Sequence, residues 1–155
     1  MKKLAIIMAA LFFSCSNEIP DEKFFDFHEF HTRRAAWENL GIDHYRFDVS
    51  TNHTSFRNSY AYSRITVFPD RAPEIIIYEQ GTDSPRPEPF TIDQRFERIY
   101  NFARDLPDGH FILVWYNEQY HFPEITHSGL IIPPGFDGGG FSVTRIMQFE
   151  DLRTR

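Results

Sequence analysis

The chain has 155 residues, of which 41% are hydrophobic and 17% aromatic, and its formal net charge is −6. This apolar content is too high for a disordered chain, and the length suits one domain. A single cysteine excludes an internal disulfide and a multi-thiolate zinc site, and the excess of acidic over basic residues argues against a nucleic-acid-binding surface.

The first residues have the layout of a secretory signal. Two lysines precede an apolar run from Leu4 to Phe13, which is much shorter than the roughly 20 residues of a bilayer-spanning helix. The run ends at Ser14-Cys15, and a small residue before a cysteine in this position resembles the lipobox of bacterial lipoproteins. The resemblance implies removal of residues 1–14 by cleavage between Ser14 and Cys15. It also implies acyl chains such as palmitate on Cys15, which form a membrane anchor.

Cleavage before Cys15 changes the charge of the chain. It removes two lysines and no acid, which leaves 14 basic residues (16 − 2) against 22 acidic ones and a formal net charge of −8. Residues 15–23 are polar and include Pro20, so they predict a tether to a domain over 24–155. We therefore expect a lipid-anchored protein of the bacterial cell envelope, on the periplasmic or surface face of a membrane.

The first half of the domain, residues 24–79, has the pattern of one helix followed by three strands. Apolar residues recur at threes and sevens in the helix, and Gly41 is suited to end it. The second strand changes phase between Tyr62 and Ile65, which indicates a β-bulge. The predicted elements are a helix over 24–40 with Phe27, Phe30, Trp37 and Leu40 on one face, strands over 44–49, 60–68 and 74–79, and a polar loop over 50–59.

A proline-rich connection, residues 80–89, separates this half from the second, residues 90–150. Thr91 and Gln94 have the spacing of a capping box, and an apolar stripe follows them to Leu106. Pro-Asp-Gly then stops the helix. The predicted elements are a helix over 91–106 and strands over 111–116, 120–127 and 141–149, the last with Phe141, Val143, Met147 and Phe149 on one face.

The order of elements predicts the fold class. Helix, three strands, helix and three strands indicate an α+β domain made of two αβββ-like halves. The simplest arrangement is one antiparallel sheet with both helices packed on one face. The repeated order raises a structural duplication as a further hypothesis.

Three motifs together carry a family resemblance. Trp37 is followed by Gly-Ile-x-x-Tyr at 41–45, Thr-Ile-Asp-x-x-Phe stands at 91–96, and Tyr-Asn-x-x-Tyr-His-Phe-Pro-x-Ile stands at 116–125. In this order they resemble a family of bacterial envelope lipoproteins of unknown function, whose hairpin has Asp and Gly where this chain has Asn117 and His121. The resemblance spans about residues 30 to 150. It implies a shared fold and an envelope location, and it implies no activity.

The aromatic hairpin at 116–125 is the candidate protein-binding surface. Exposed aromatic residues make good anchors for a partner, whereas buried ones are ordinary core residues. The sequence leaves both interpretations open for Tyr116, Tyr120, Phe122 and Pro123.

Histidines are the remaining candidates for chemistry. His28 and His31 have the i, i+3 spacing that metal sites use, but no third ligand is fixed and a solvated helix face explains them better. His110, His121 and His127 fall near the ends of successive predicted strands, and neither a nucleophile nor an acidic partner stands beside them. We therefore predict no catalytic residue, no metal and no cofactor.

Three hypotheses for function follow. The leading one is a non-enzymatic, lipid-anchored domain that binds or scaffolds other envelope components, with the membrane and an envelope protein as partners. The alternative is an inhibitor or sensor domain that acts on a protein partner through the 116–125 hairpin. The third is a hydrolase or metal-dependent enzyme that uses His110, His121 or His127.

Overall fold

The computed structural model describes residues 25–54, 59–130 and 140–153. The predicted signal over 1–14, the lipidation site at Cys15 and the tether over 15–23 lie outside the described residues. Within the described ranges, neither helix has the length and apolar content that crossing a bilayer requires.

Two helices and six strands follow one another in the predicted order of types. They are α1 (Phe27–Leu40), β1 (Tyr45–His53), β2 (Tyr60–Val67), β3 (Glu74–Gln80), α2 (Ile92–Arg104), β4 (His110–Tyr116), β5 (Pro123–Leu130) and β6 (Phe141–Asp151). The strands form one sheet in the order β3-β2-β1-β6-β5-β4, and every pairing is antiparallel. The predicted α+β class is confirmed.

The two halves of the chain fill the sheet in opposite directions. β1 lies at the middle, and β2 and β3 lead outward to one edge. The chain returns through α2 to β4 at the opposite edge, and β5 and β6 lead back to β1. The strand after α1 is therefore central, whereas the strand after α2 is at an edge. The predicted division into two equivalent αβββ halves is not confirmed.

Both helices pack on the same face of the sheet, which we call the helix face. Buried residues of both helices join one apolar cluster with residues of β1 and β2. The rings of Phe30 in α1 and Phe96 in α2 lie 5.5 Å apart in an edge-to-face arrangement. The largest members of the cluster are Phe30, Trp37, Tyr45, Phe47, Ile65, Phe96, Phe122 and Ile146. We call the opposite side of the sheet the outer face.

The ends of α1 have the chemistry that its sequence requires. The side chain of Asp26 accepts a hydrogen bond from the backbone N–H of Glu29, and Gly41 ends the helix with a left-handed φ of 58°. The predicted buried face is narrower than expected, since Phe27 and Leu40 are 38% and 37% exposed. The side chain of Trp37 is buried as predicted.

β1 is longer than the sequence predicts. Residues 50–53 are predicted to be loop, but they continue β1 as far as His53. Ser50 pairs with Tyr62 on one side and with Arg145 on the other. Backbone pairing with two neighbours holds a strand whose side chains are polar, so the prediction of a loop is wrong at these residues.

β5 begins three positions later than predicted because a turn precedes it. The side-chain oxygen of Asn117 accepts hydrogen bonds from the backbone N–H groups of Gln119 and Tyr120, at 3.0 and 2.9 Å. His121 has a φ of 63°. The strand therefore starts at Pro123.

A bulge in β6 moves Phe149 to the helix face. Gln148 has a φ of 49°, and the pairing of β6 with β1 shifts register beside it. Met147 lies opposite Asp48 on the outer face, whereas Phe149 stacks on Tyr45, with 5.5 Å between ring centroids. The prediction that Phe149 shares a face with Met147 is wrong, because the bulge reverses the alternation.

The start of α2 is fixed from three sides. Thr91 and Gln94 form the predicted capping box. The hydroxyl oxygen of Tyr45 accepts a buried 2.9 Å hydrogen bond from the backbone N–H of Ile92. The indole N–H of Trp37 donates a 3.0 Å hydrogen bond to the carboxylate of Asp93. One strand and one helix thus position the first turn of α2.

We expect Tyr45→Phe to lower the free energy of unfolding by about 1–3 kcal/mol, because it leaves the buried N–H of Ile92 without an acceptor. Urea denaturation followed by circular dichroism measures this value. Tyr60→Phe is the matched control, since the Tyr60 hydroxyl donates to Glu79 at the surface, and we expect a change below about 0.5 kcal/mol. Equal losses in the two variants would contradict the role given to Tyr45.

Candidate functional site

A cavity of about 360 Å³ opens between α2 and the helix face of the sheet. This volume is within the range of about 300–1,000 Å³ that small-molecule sites occupy. Residues of β1, β2, β5 and β6 form its floor, and Pro87, Glu88 and Phe90 of the proline-rich connection form one wall. α1 contributes no residue to the lining. The cavity therefore lies between α2 and the sheet, outside the part of the helix face that α1 covers.

Six of the ten residues that β1, β2, β5 and β6 contribute to the floor carry a hydroxyl group. Antiparallel pairing sets Thr144 beside both Thr51 and Thr126, and it sets Ser142 opposite Ser128. These positions alternate with residues of the outer face, so their side chains share the helix face. The hydroxyl residues of the lining are Thr51, Ser63, Thr126, Ser128, Ser142 and Thr144.

α2 closes the cavity on one side. Phe96 and Tyr100 turn toward α1, where their rings meet that of Phe30. Arg95, Arg98, Ile99 and Phe102 of the same helix line the cavity instead. The cavity thus has an apolar side, completed by Phe90 and Ile112, and a hydroxyl floor.

Arg95 is the most buried charged side chain of the lining. It is 7% exposed. Its Nε donates a 2.9 Å hydrogen bond to the carbonyl of Pro123. Its Nη2 donates to the hydroxyl of Thr126 at 2.9 Å and to the carbonyl of Thr144 at 3.1 Å. These bonds hold the guanidinium between α2 and the sheet.

Burial makes the charge of Arg95 unfavourable in the folded chain. Burial of the guanidinium, together with the charge of Arg98, lowers the pKa of Arg95 to about 10. The side chain remains charged at neutral pH. Because one pKa unit corresponds to about 1.4 kcal/mol, the charge destabilises the folded state by roughly 3 kcal/mol relative to an exposed arginine.

The other titratable residues of the lining are Arg98, Glu88 and His53. Arg98 and Glu88 are exposed, and the guanidinium carbon of Arg98 lies 5.7 Å from the ring centroid of Phe90. Two arginines against one glutamate give the lining a formal charge of +1 with His53 neutral. The cavity is therefore positive in a chain whose formal net charge is −6.

The aromatic hairpin of the sequence analysis packs into the core. Phe122 is 1% exposed and Pro123 is also fully buried. Tyr116 and Tyr120 are half-buried and pack against the same apolar cluster, and burial raises the pKa of the Tyr116 hydroxyl. The positions of Phe122 and Pro123 favour the core interpretation, and partner binding through this hairpin stays a prediction.

The three histidines of the enzyme hypothesis lie on different parts of the sheet. His110 starts β4, whereas His121 is in the turn beyond the other end of that strand. His127 pairs with Leu113, and its ring lies 5.0 Å from that of Trp115 on the outer face. The structure does not bring these imidazoles together.

His28 and His31 both lie on α1, and the ring of His31 packs against that of Tyr100 at 5.8 Å. Over residues 25–54, 59–130 and 140–153, no three His, Cys, Asp or Glu side chains are placed to hold a metal ion.

The cavity was not predicted from the sequence, although the sequence contains two signals for it. Arg95 interrupts the apolar stripe of α2 between Ile92 and Ile99. Hydroxyl residues also recur at alternate positions of the last two strands, in the pairs Thr126 with Ser128 and Ser142 with Thr144. A charge in an apolar stripe facing strands of hydroxyls indicates a polar space within the core.

Comparison with protein-family models, with curated proteins and with solved structures finds no match.

We expect the pH dependence of stability to report the buried charge of Arg95. Below pH 10 the destabilisation is fully present, and it fades as pH rises above about 10, because there the folded state releases the proton while the unfolded state still holds it. Relative to Arg95→Met, the original chain should therefore gain about 1 kcal/mol of unfolding free energy between pH 8 and pH 11.

Urea denaturation at each pH measures this difference. Arg145→Met is the control, since Arg145 is exposed on the outer face, and its difference from the original chain should stay constant. A constant difference for Arg95→Met as well would show that burial does not perturb Arg95.

Proposed function

We propose that this chain is exported and lipid-anchored at Cys15, and that its α+β domain is a non-enzymatic binding domain of the bacterial cell envelope. The short apolar run that ends at Ser14-Cys15 supports the anchor. Two acyl chains hold a protein on a membrane stably, so such an anchor needs no transmembrane helix.

The cavity under α2 is the observation that carries the binding role. Its apolar side and hydroxyl floor can bury the body of a small molecule and also satisfy its polar groups. Small-molecule sites combine these two features. We therefore assign the binding function to this cavity.

The chemistry of the floor favours binding over catalysis. A serine or threonine nucleophile is activated by a base within hydrogen-bond reach. Within the described part of the chain, the one side-chain hydrogen bond to a floor hydroxyl comes from Arg95, which is a donor and cannot act as that base. His53 of the lining pairs with Ser142 through the backbone, and among the described residues its imidazole makes no hydrogen bond to a floor hydroxyl. The floor is therefore suited to hydrogen bonding with a ligand.

The anchor predicts fatty-acid labelling at one residue. When cells that produce the full chain take up an alkyne analogue of palmitate, we expect label on the original protein and none on Cys15→Ala. Ser16→Ala is the control, since it changes the neighbouring residue and keeps the thiol. The readout is in-gel fluorescence after coupling to a dye, and an unlabelled original protein would rule out the anchor.

If ligands bind in the cavity, a larger side chain placed inside it should weaken their binding. Ala61 is buried and lines the cavity, so Ala61→Leu should fill part of it. A screen of neutral and charged fragments by protein-observed NMR should give shifts at Thr126 and Ser142 in the original chain and weaker shifts in the variant.

Thr66→Leu is the matched control for this screen. Thr66 pairs with Arg46 on the outer face, so the added side chain lies away from the cavity and should leave fragment binding unchanged. Fragments that bind Ala61→Leu as well as they bind the original chain would remove the cavity as the binding site.

A further inference from the structure

Arg95 of α2 has no carboxylate partner among the described residues, in contrast to two arginines of the sheet. Arg64 lies 2.7 Å from Asp48, and Arg46 lies 2.6 Å from Glu150. Among the described residues, Arg95 bonds only to two carbonyls and one hydroxyl, although it is the most buried of the three. Buried charges in proteins are normally paired, so the site lacks a counter-charge.

The N–H groups of Arg95 for which no hydrogen bond is observed belong to one nitrogen, Nη1. A guanidinium has five N–H bonds, and the observed hydrogen bonds use Nε and Nη2. No buried side-chain nitrogen or oxygen of the described residues is left without a partner. Nη1 is therefore accessible and makes no hydrogen bond within the described part of the chain, and the cavity that Arg95 lines is where its two donors can meet a ligand.

Arg98 adds a second positive charge at the same place. It lies one helical turn after Arg95, and both side chains line the cavity. Like charges at this spacing repel each other, and the charge of Arg98 contributes to the lowered pKa of Arg95. An anion bound near both would relieve the repulsion and replace the missing counter-charge.

We propose that the cavity binds a small organic acid, whose carboxylate or phosphate oxygens accept hydrogen bonds from Nη1 of Arg95 and interact with the charge of Arg98. Phe90, Ile99 and Phe102 would contact the apolar part of this ligand, and the hydroxyl floor would bind its remaining polar groups. Guanidinium groups bind both kinds of oxyanion with good geometry. The inference rests on the proposed binding function and names the class of its ligand.

The test compares an acid with its neutral isostere on the full domain. 3-Phenylpropionate and 3-phenylpropionamide have nearly the same shape and differ in charge, so isothermal titration calorimetry with both isolates the role of the anion. We expect the acid to bind about tenfold or more tightly than the amide, because a charge-assisted hydrogen bond is about twice as strong as a neutral one. Phenyl phosphate in a third arm separates phosphate from carboxylate ligands.

Two variants locate the anion. Arg95→Met should abolish the preference for the acid, and Arg98→Met should reduce it. Arg145→Met on the outer face should preserve it, and circular dichroism shows whether each variant is folded. If Arg95→Met does not fold, Arg98→Met gives the second measurement, since Arg98 is exposed and an unchanged preference for the acid in this variant would overturn the inference.

The outcomes separate this inference from the proposed function. If the acid and the amide bind equally and both lose binding in Ala61→Leu, the proposed preference for an anion is overturned and the binding cavity still stands. No binding of any acid probe would overturn the anion, and an empty fragment screen would overturn the binding function as well. A preference for the acid that survives in Arg95→Met would also overturn the inference.

Discussion

The buried hydrogen bond from the N–H of Ile92 to the hydroxyl of Tyr45 determines where α2 lies. The proline-rich connection leaves the sheet at one edge and the chain must return at the other, so α2 has to start at a defined point above the sheet. Tyr45 in β1 supplies that point, and Trp37 in α1 holds the next residue, Asp93. The positions of both helices on the helix face follow from these two contacts.

The cavity is a consequence of that placement. α2 turns Phe96 toward α1 and leaves Arg95 and Ile99 above a stretch of sheet that no third helix covers. The floor there has serine and threonine in place of the phenylalanine and isoleucine that fill the rest of the core. Small polar side chains under a helix leave space unfilled and place polar groups in that space. Both features oppose the close packing of a core, and such local conflicts are typical of functional sites.

Local patterns in the sequence are sufficient to predict the order of the helices and strands, but not the full extent of each strand or the cavity. The capping box at Thr91 and the glycine at position 41 fix helix ends through nearby atoms alone, and both were predictable. The strand path of residues 50–53 depends on pairing with β2 and β6, which no local pattern contains. Phe149 faces the helices because of one left-handed residue, Gln148, that carries no glycine signal. The cavity also depends on long-range pairing, since Thr51, Thr144 and Thr126 come together only where β1, β6 and β5 are neighbours.

The order of the strands determines the stage of folding at which the cavity forms. His53 pairs with Ser142 and Tyr45 with Asp151, at separations of 89 (142 − 53) and 106 (151 − 45) residues. Hairpins within each half join near neighbours, whereas this central pairing closes a long loop and is slow to form. Thr51 and Thr144 come from opposite sides of that seam and meet only when it closes. A newly made chain therefore lacks the floor of the cavity until its last strand has docked, and the cavity forms only when the sheet is complete.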